Sequence, residues 1–299
     1  MRLKRFMFLG LALFGLVLNS IFLFKLSINQ FEPNELMSNL TLNKSFSILE
    51  NIKRNLHLND LISNNFLVPS SIKKQKINEF NYEYILKPNE SFCQTQNKNG
   101  LLLIAFVPIS PQNFNQRHVI RSTWANHQLI KNFRVVFMIG ASSQREINDA
   151  IRNESITNGD IVQNNFTDSY FNLTTKTIMG FRWVSTYCSN AKYTLKVDDD
   201  VVVNINRLLK FLDRISTKQS YQMNTIFGRF FENGAPVVRV NTSKFYLSKN
   251  EHPEDFFVPY CDGPSYMLTT DLTKKMYDLA FYTPQFKFED VFTGVIKNY

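Results

Sequence analysis

The sequence is short of cysteine and lacks several of the motifs that mark common metal and phosphate sites. Of 299 residues only Cys93, Cys188 and Cys261 carry a thiol. No two of them have zinc-ligand spacing, which excludes a zinc finger or ribbon. There is no glycine-rich phosphate loop, so the usual cradle for phosphoryl transfer is missing. Nor is there a run of five Lys or Arg: the 34 basic residues are scattered, and a net charge of +9 then reads as a compact basic pocket or simple solubility rather than a nucleic-acid face. No internal repeat and no low-complexity tract occurs.

What the chain does have is apolar and aromatic mass. It is 44% hydrophobic and 14% aromatic, with 28 Phe and 12 Tyr, enough for a sizeable core and too much for a disordered polymer. Arg2, Lys4 and Arg5 precede an apolar stretch from Phe6 to Phe24, broken only by Asn19 and Ser20 and closed by Lys25. Such a helix spans about 28 Å, close to the hydrocarbon thickness of a bilayer. The basic flank predicts a cytoplasmic N-terminus. A cleaved signal peptide is the alternative, but a small-residue cleavage site is absent and the run exceeds a usual signal core, which favours an uncleaved signal anchor.

Asn39, Asn43, Asn89, Asn153, Asn165, Asn172 and Asn241 each begin an N-x-S/T sequon without proline. Singly each is a weak signal; together, behind an anchor, they fit a glycosylated lumenal body. In an oxidising lumen the three cysteines would make one disulfide and leave one thiol over. The organisation expected is therefore a tail at 1–5, an anchor at 6–26, an Asn-, Ser- and Lys-rich stem at 27–91 with at most short helical pieces such as Phe46 to Leu58, and a folded domain at 92–299.

The texture changes at Gly100. Leu101 to Val107 is a continuous apolar run of strand length, and Arg134 to Ile139 is another. A third strand begins at Asp160. Helical stretches lie between, at Ser143 to Arg152 and along Leu173, Ile178, Phe181, Val184 and Cys188. Tyr193, Leu195 and Val197 then alternate as a strand that runs into Asp198, Asp199 and Asp200. Strand and helix in alternation predict an α/β fold with a mostly parallel sheet flanked by helices. In such sheets ligands sit beyond the carboxyl ends of the strands, where this triplet falls.

Three adjacent carboxylates repel unless a cation or solvent relieves them. Their hard oxygens suit Mn²⁺ or Mg²⁺, which could bridge a nucleotide diphosphate and stabilise the charge that builds as it leaves. A solvated acidic turn is the plain alternative. Arg117 and Arg121 read equally as donor-phosphate contacts or as salt bridges supporting the sheet end. Trp124 and Trp183 read as core aromatics, while Lys176 and Lys196 are open between phosphate contact and an internal ion pair. Glu289 and Asp290 alone would read as acids favoured at a helix N-terminus.

Order and spacing add to this. Arg117, Ile120, Arg121, Thr123 and Trp124 form R-x-x-I-R-x-T-W; Asp168 to Thr177 reads DSYFNLTTKT; Lys196 to Val201 reads KVDDDV. Then follow Pro259-Tyr260-Cys261-x-Gly263-x-x-Tyr266 and Glu289-Asp290-Val291-Phe292-x-Gly294. This series, over about residues 92–299, resembles the β-1,3-galactosyltransferase family, which includes β-1,3-N-acetylglucosaminyltransferases and is distantly related to the Fringe enzymes.

The resemblance implies a type II Golgi membrane enzyme of GT-A-like, Rossmann-type fold with a lumenal catalytic domain. It would use a UDP-sugar with Mn²⁺ or Mg²⁺ and act with inversion on a glycan of a glycoprotein or glycolipid. By the same resemblance Asp200 is the metal ligand, Asp198 and Asp199 line the donor, and Asp290 is the general base. Relatives also carry cysteines at the places of Cys93, before the first strand, and Cys188, ahead of the aspartate strand, which implies a disulfide between them. There are departures. A second glycine is missing before Tyr266, and His252 stands where a Tyr is usual. Cys261 lacks its customary partner. The chain ends nine residues after Asp290, where the family continues, so a C-terminally incomplete domain is expected. With that comes a rival reading, a lumenal glycan-binding pseudoenzyme.

Overall fold

The apolar run at Leu101 becomes a strand near the middle of a seven-stranded sheet. The computed structural model describes residues 75–95, 100–126 and 132–297. The tail, the anchor at 6–26, the piece from Phe46 to Leu58, and Asn39 and Asn43 lie outside them. Among the described residues no helix is long and apolar enough to cross a membrane. In chain order the elements are β1 (Tyr84–Leu86), β2 (Leu101–Pro108), α1 (Phe114–Ser122), β3 (Phe133–Ala141), α2 (Arg145–Asn158), β4 (Ile161–Thr167) and α3 (Leu173–Tyr187). They continue with β5 (Ala191–Val197), α4 (Ile205–Ile215), β6 (Ile226–Phe231), β7 (Tyr260–Thr269), α5 (Asp271–Ala280) and α6 (Glu289–Lys297).

From Leu103 onward the residues of β2 point alternately to two cores. Ile104 and Phe106 join Ile178, Phe181, Trp183, Met276 and Phe292, so α3, α5 and α6 cover that face. Leu103, Ala105 and Val107 join Ile120, Ile151, Leu212 and Ile215, so α1, α2 and α4 cover the other. The α3 helix packs tightly enough that a Cβ on Gly180 would stand 2.8 Å from the Phe106 ring. This is an α/β fold with helices on both faces of its sheet.

The sheet is mixed rather than mostly parallel. Strands β4, β3, β2 and β5 run parallel, but β1, β7 and β6 join antiparallel. A parallel neighbour needs a crossover; β7 lies beside both β5 and β6 in the opposite sense and needs none. Gly263 and Pro264 disguise β7 in the sequence, and the pairing with β6 shifts register beside them, between Gly228 and Phe230. Proline and glycine are tolerated at such an irregularity.

The boundary drawn at residue 92 falls inside the folded unit, which begins at Gln75. Residues 75–91 pack instead of standing clear as stem. Phe80 is 2% exposed and meets Phe281 with ring centroids 6.0 Å apart. The Asn78 side chain donates to the Ala280 carbonyl at 2.8 Å, and β1 adds to the sheet edge at β4. The signal was a strand-like alternation of Phe80, Tyr82, Tyr84 and Leu86 within polar surroundings.

Candidate active site

Strand β5 ends in a turn made by Asp198, Asp199 and Asp200. The turn is pinned from three directions. The Asp198 N–H donates to the Pro264 carbonyl of β7 at 3.0 Å, and its carboxylate takes a 2.5 Å bond from Lys196. The Asp199 carboxylate accepts from the Asn113 side chain, just ahead of α1, at 2.8 Å. Asp200 is exposed. Burial raises the pKa of Asp198, with Lys196 pulling the other way.

Helix α6 begins at the same place. Its first residue, Glu289, is 4% exposed, takes a 2.7 Å hydrogen bond from the Tyr266 hydroxyl and lies 3.4 Å from Lys196 Nζ. The next residue is Asp290, whose Oδ1 accepts the Val291 N–H at 2.8 Å. Its carboxylate lies over Gly263, where a Cβ would stand 3.1 Å from Oδ2. Burial first, then the Glu289 charge, lifts the Asp290 pKa to about 6. Glu289 and Asp290 thus occupy a helix N-terminus and also face the site; the two readings of the pair are compatible.

Lys196 is completely buried and donates as well to the Gly263 carbonyl at 2.7 Å. Burial works against its charge, but Glu289 and Asp198 outweigh it and raise the pKa. Its alternatives resolve to an internal ion pair. Lys176 resolves the same way: it bonds Asp168 at 3.0 Å and the Ile109 carbonyl at 3.1 Å, while Asp168 accepts the Gly140 N–H at 2.8 Å.

In this arrangement Arg117 and Arg121 are engaged with protein acceptors, the salt-bridging role of the two open to them. Arg117 is wholly buried; it binds Glu154 at 2.7 Å and the Ser110 and Pro111 carbonyls at 3.0 and 3.1 Å. Arg121 binds Glu154 at 2.6 Å and Asp160 at 2.7 Å. Every guanidinium nitrogen of both residues has a protein acceptor. Their hydrogen bonds hold Glu154 below the usual carboxylate range against the cost of burial. By clamping Ser110 and Pro111, Arg117 fixes the loop that carries Asn113 to Asp199. Both arginines support the sheet end, the second of the two roles open to them.

The remaining sites can be placed briefly. Cys93 and Cys188 form a disulfide with Cα atoms 5.3 Å apart, and Cys261 is a buried thiol. Trp124 and Trp183 are core residues. Asn89, Asn153, Asn165 and Asn241 are exposed, and Asn172 is half-buried with its amide donating to the Thr167 carbonyl at 2.7 Å. His252 sits in an aromatic group with Phe257 and Phe286, ring centroids 5.3 and 5.6 Å away. A cleft of about 480 Å³ opens at the opposite end of β5, among Lys192, Tyr193, Ser216, Thr270 and Lys274, and holds none of the site carboxylates.

Sequence reasoning missed Asn113, Tyr266 as the partner of Glu289, and Gly263 as the space Asp290 needs. A further relation was readable: Lys196 and Asp198 stand two apart where β5 runs into the turn, the spacing of residues on one face of a strand.

A metal is testable against these side chains. Among the described residues no three His, Cys, Asp or Glu side chains gather into a ready-made cage. Asp200 offers hard oxygens to solvent, and Asp198 and Asp199 are held beside it. That donor set fits a divalent ion that takes most of its oxygens from phosphate and water, as Mg²⁺-type ions do.

Comparison with known proteins agrees with the ordered blocks. The galactosyltransferase family model matches residues 115–299. Beta-1,3-galactosyltransferase 1 of Mus musculus, and of Homo sapiens, is 32% identical over 228 residues, 75% of this chain and 67% of the relative. UDP-GalNAc:beta-1,3-N-acetylgalactosaminyltransferase 1 of Homo sapiens is 31% identical over 233 residues, 73% of this chain and 67% of that one. Of solved structures, 4-diphosphocytidyl-2C-methyl-D-erythritol synthase from Anaerococcus prevotii aligns at a TM-score of 0.35 and 12% identity, over 64% of this chain and 79% of that chain, too low to carry weight. With the family's blocks falling in order along the fold and more than half the chain matched, this protein belongs to the galactosyltransferase family and is a hexosyltransferase.

Proposed function

We propose that the enzyme transfers a hexose from a UDP-sugar to a glycan hydroxyl on a glycoprotein or glycolipid, with inversion and in β-1,3 linkage. Galactose is the first choice of sugar. An N-acetylhexosamine is the second, favoured by the N-acetylgalactosaminyltransferase among the relatives. The observation that carries the reading is the meeting of Asp290 and the aspartate turn at one buried group, Lys196 with Glu289.

Inversion needs a base on the acceptor side and charge stabilisation on the leaving-group side. Asp290 serves as the base. With a pKa near 6 it is ionised at neutral pH, yet basic enough to take the hydroxyl proton as that oxygen attacks the anomeric carbon. Asp198 and Asp199 line the donor. Asp200 would hold Mn²⁺ or Mg²⁺, whose charge stabilises the departing diphosphate. The GT-A-like description of the fold rests on family membership together with this placement of the triplet.

Residues 6–26 are proposed to anchor the chain in the Golgi membrane, type II, with the catalytic body and its sequons in the lumen. Protease treatment of sealed microsomes should then spare the body. For the activity, UDP release from UDP-galactose and from UDP-N-acetylgalactosamine is measured with Mn²⁺ and with chelator. Metal-dependent release supports the reading. Equal release without metal removes the ion from it, and no release from any UDP-hexose removes the reading itself.

A further inference from the structure

Lys196 touches both halves of the site. Its ammonium holds the donor turn through Asp198 at 2.5 Å and approaches Glu289, the first residue of α6, at 3.4 Å. The second Glu289 oxygen is held by the Tyr266 hydroxyl at 2.7 Å, and Tyr266 is 3% exposed. Glu289 is therefore fixed from β5 and from β7, and Asp290 is the next residue along the helix. We propose that Lys196 is a positioning residue for transfer: through Glu289 it sets the first turn of α6, and with it the Asp290 carboxylate, in register with the donor turn it holds through Asp198. The proposal rests on Asp290 being the base.

Fold stability alone does not explain a lysine here. Buried ion pairs can often be replaced by apolar side chains at little or no loss of stability. What an apolar residue cannot do is bind two carboxylates on different elements. Three acids, Asp198, Glu289 and Asp290, draw on this one ammonium, so its loss would leave the donor turn and the base helix repelling each other. A displacement of about 1 Å in a reacting group can cost on the order of a hundredfold in rate.

The charges acting on Asp290 give the proposal a signature. Glu289 on its own helix and Asp262 of β7 raise its pKa, and Lys196 of β5 lowers it; Tyr260 of β7 is the other titratable neighbour. Lys196→Met should shift the acid limb of the kcat–pH profile to higher pH. Glu289→Gln should shift it to lower pH. Opposite movements from the two halves of one ion pair are not expected of a residue that only holds the fold.

The experiment measures kcat, KM for UDP-sugar and the pH profile for the parent, Lys196→Met, Glu289→Gln, Tyr266→Phe and Asp290→Asn, with a thermal melt of each. The expected result is a fall in kcat of about tenfold or more in the first two, limb shifts of opposite sign, and donor KM within about threefold in Glu289→Gln. If Lys196→Met fails to fold, Glu289→Gln and Tyr266→Phe decide: a downward limb shift in the one and a lowered kcat in the other support the proposal. Unmoved limbs and kcat within about threefold in the folded variants overturn it. Asp290→Asn separates the two readings. If it removes transfer while the others leave the limb in place, positioning fails and the base stands; if it leaves transfer and limb intact, the base assignment fails.

Discussion

Replacing the proposed base should make the protein more stable and inactive at once. Asp290→Asn keeps the shape of the side chain and the oxygen that accepts the Val291 N–H, and removes the charge. The Asp290 pKa stands at about 6 against an ordinary 3.8, and two units correspond to roughly 3 kcal/mol. Partial exposure of the carboxylate reduces this to about 1–2 kcal/mol. The sign follows from linkage. Below about pH 4 both states carry the proton and the group costs nothing; between pH 4 and 6 the unfolded chain ionises first, and stability is lost as pH rises through the folded pKa. At pH 7.5 the full cost is present in the parent and absent in the variant. For a unit of roughly 225 residues each kcal/mol moves Tm by about 2–4 °C. Scanning calorimetry should show Asp290→Asn melting several degrees above the parent at pH 7.5 and level with it near pH 3.5. Transfer by the variant should fall by about 10²- to 10⁴-fold, and parental kcat should decline as pH drops through about 6. Equal melting at pH 7.5, or near-parental transfer by the variant, would refute the assignment.

Three further outcomes follow from the packing. Non-reducing peptide maps should recover Cys93 bridged to Cys188 and not to Cys261; with 95 residues between the pair, Cys93→Ser should cost up to about 4–5 kcal/mol in the chain-entropy model. A chain begun at Gln75 should fold, whereas one begun at residue 92 loses Phe80 and β1 and should aggregate or melt early, as read by solubility and circular dichroism. Arg117→Met leaves the buried Glu154 with Arg121 as its one remaining cation and should cost up to about 3 kcal/mol, while donor KM of the folded fraction stays near parental; a large rise in KM would return Arg117 to the donor.

Much of the central sheet was legible because its strands are continuous apolar runs or clean alternations. Leu101–Pro108, Phe133–Ala141 and Ala191–Val197 lie close to where periodicity set them. The edges were not legible. β1 is three residues long in polar surroundings, and β7 carries Gly263 and Pro264 at a register shift. The carboxylates of the site could be named from order and spacing, but their partners could not. Arg117 finds Glu154 37 residues away, and Tyr266 finds Glu289 across 23 residues and two elements. Local pattern says that a buried Lys196 needs an acid; only the fold says that it has two, on opposite sides of the site.

The division of labour between the aspartate turn and α6 is tested most directly by calorimetric titration of UDP-sugar with Mn²⁺ into the parent, Asp200→Asn and Asp290→Asn. Asp200→Asn should lose metal-dependent binding while Asp290→Asn binds as the parent does. Parental binding by Asp200→Asn, or its loss in Asp290→Asn, would contradict it.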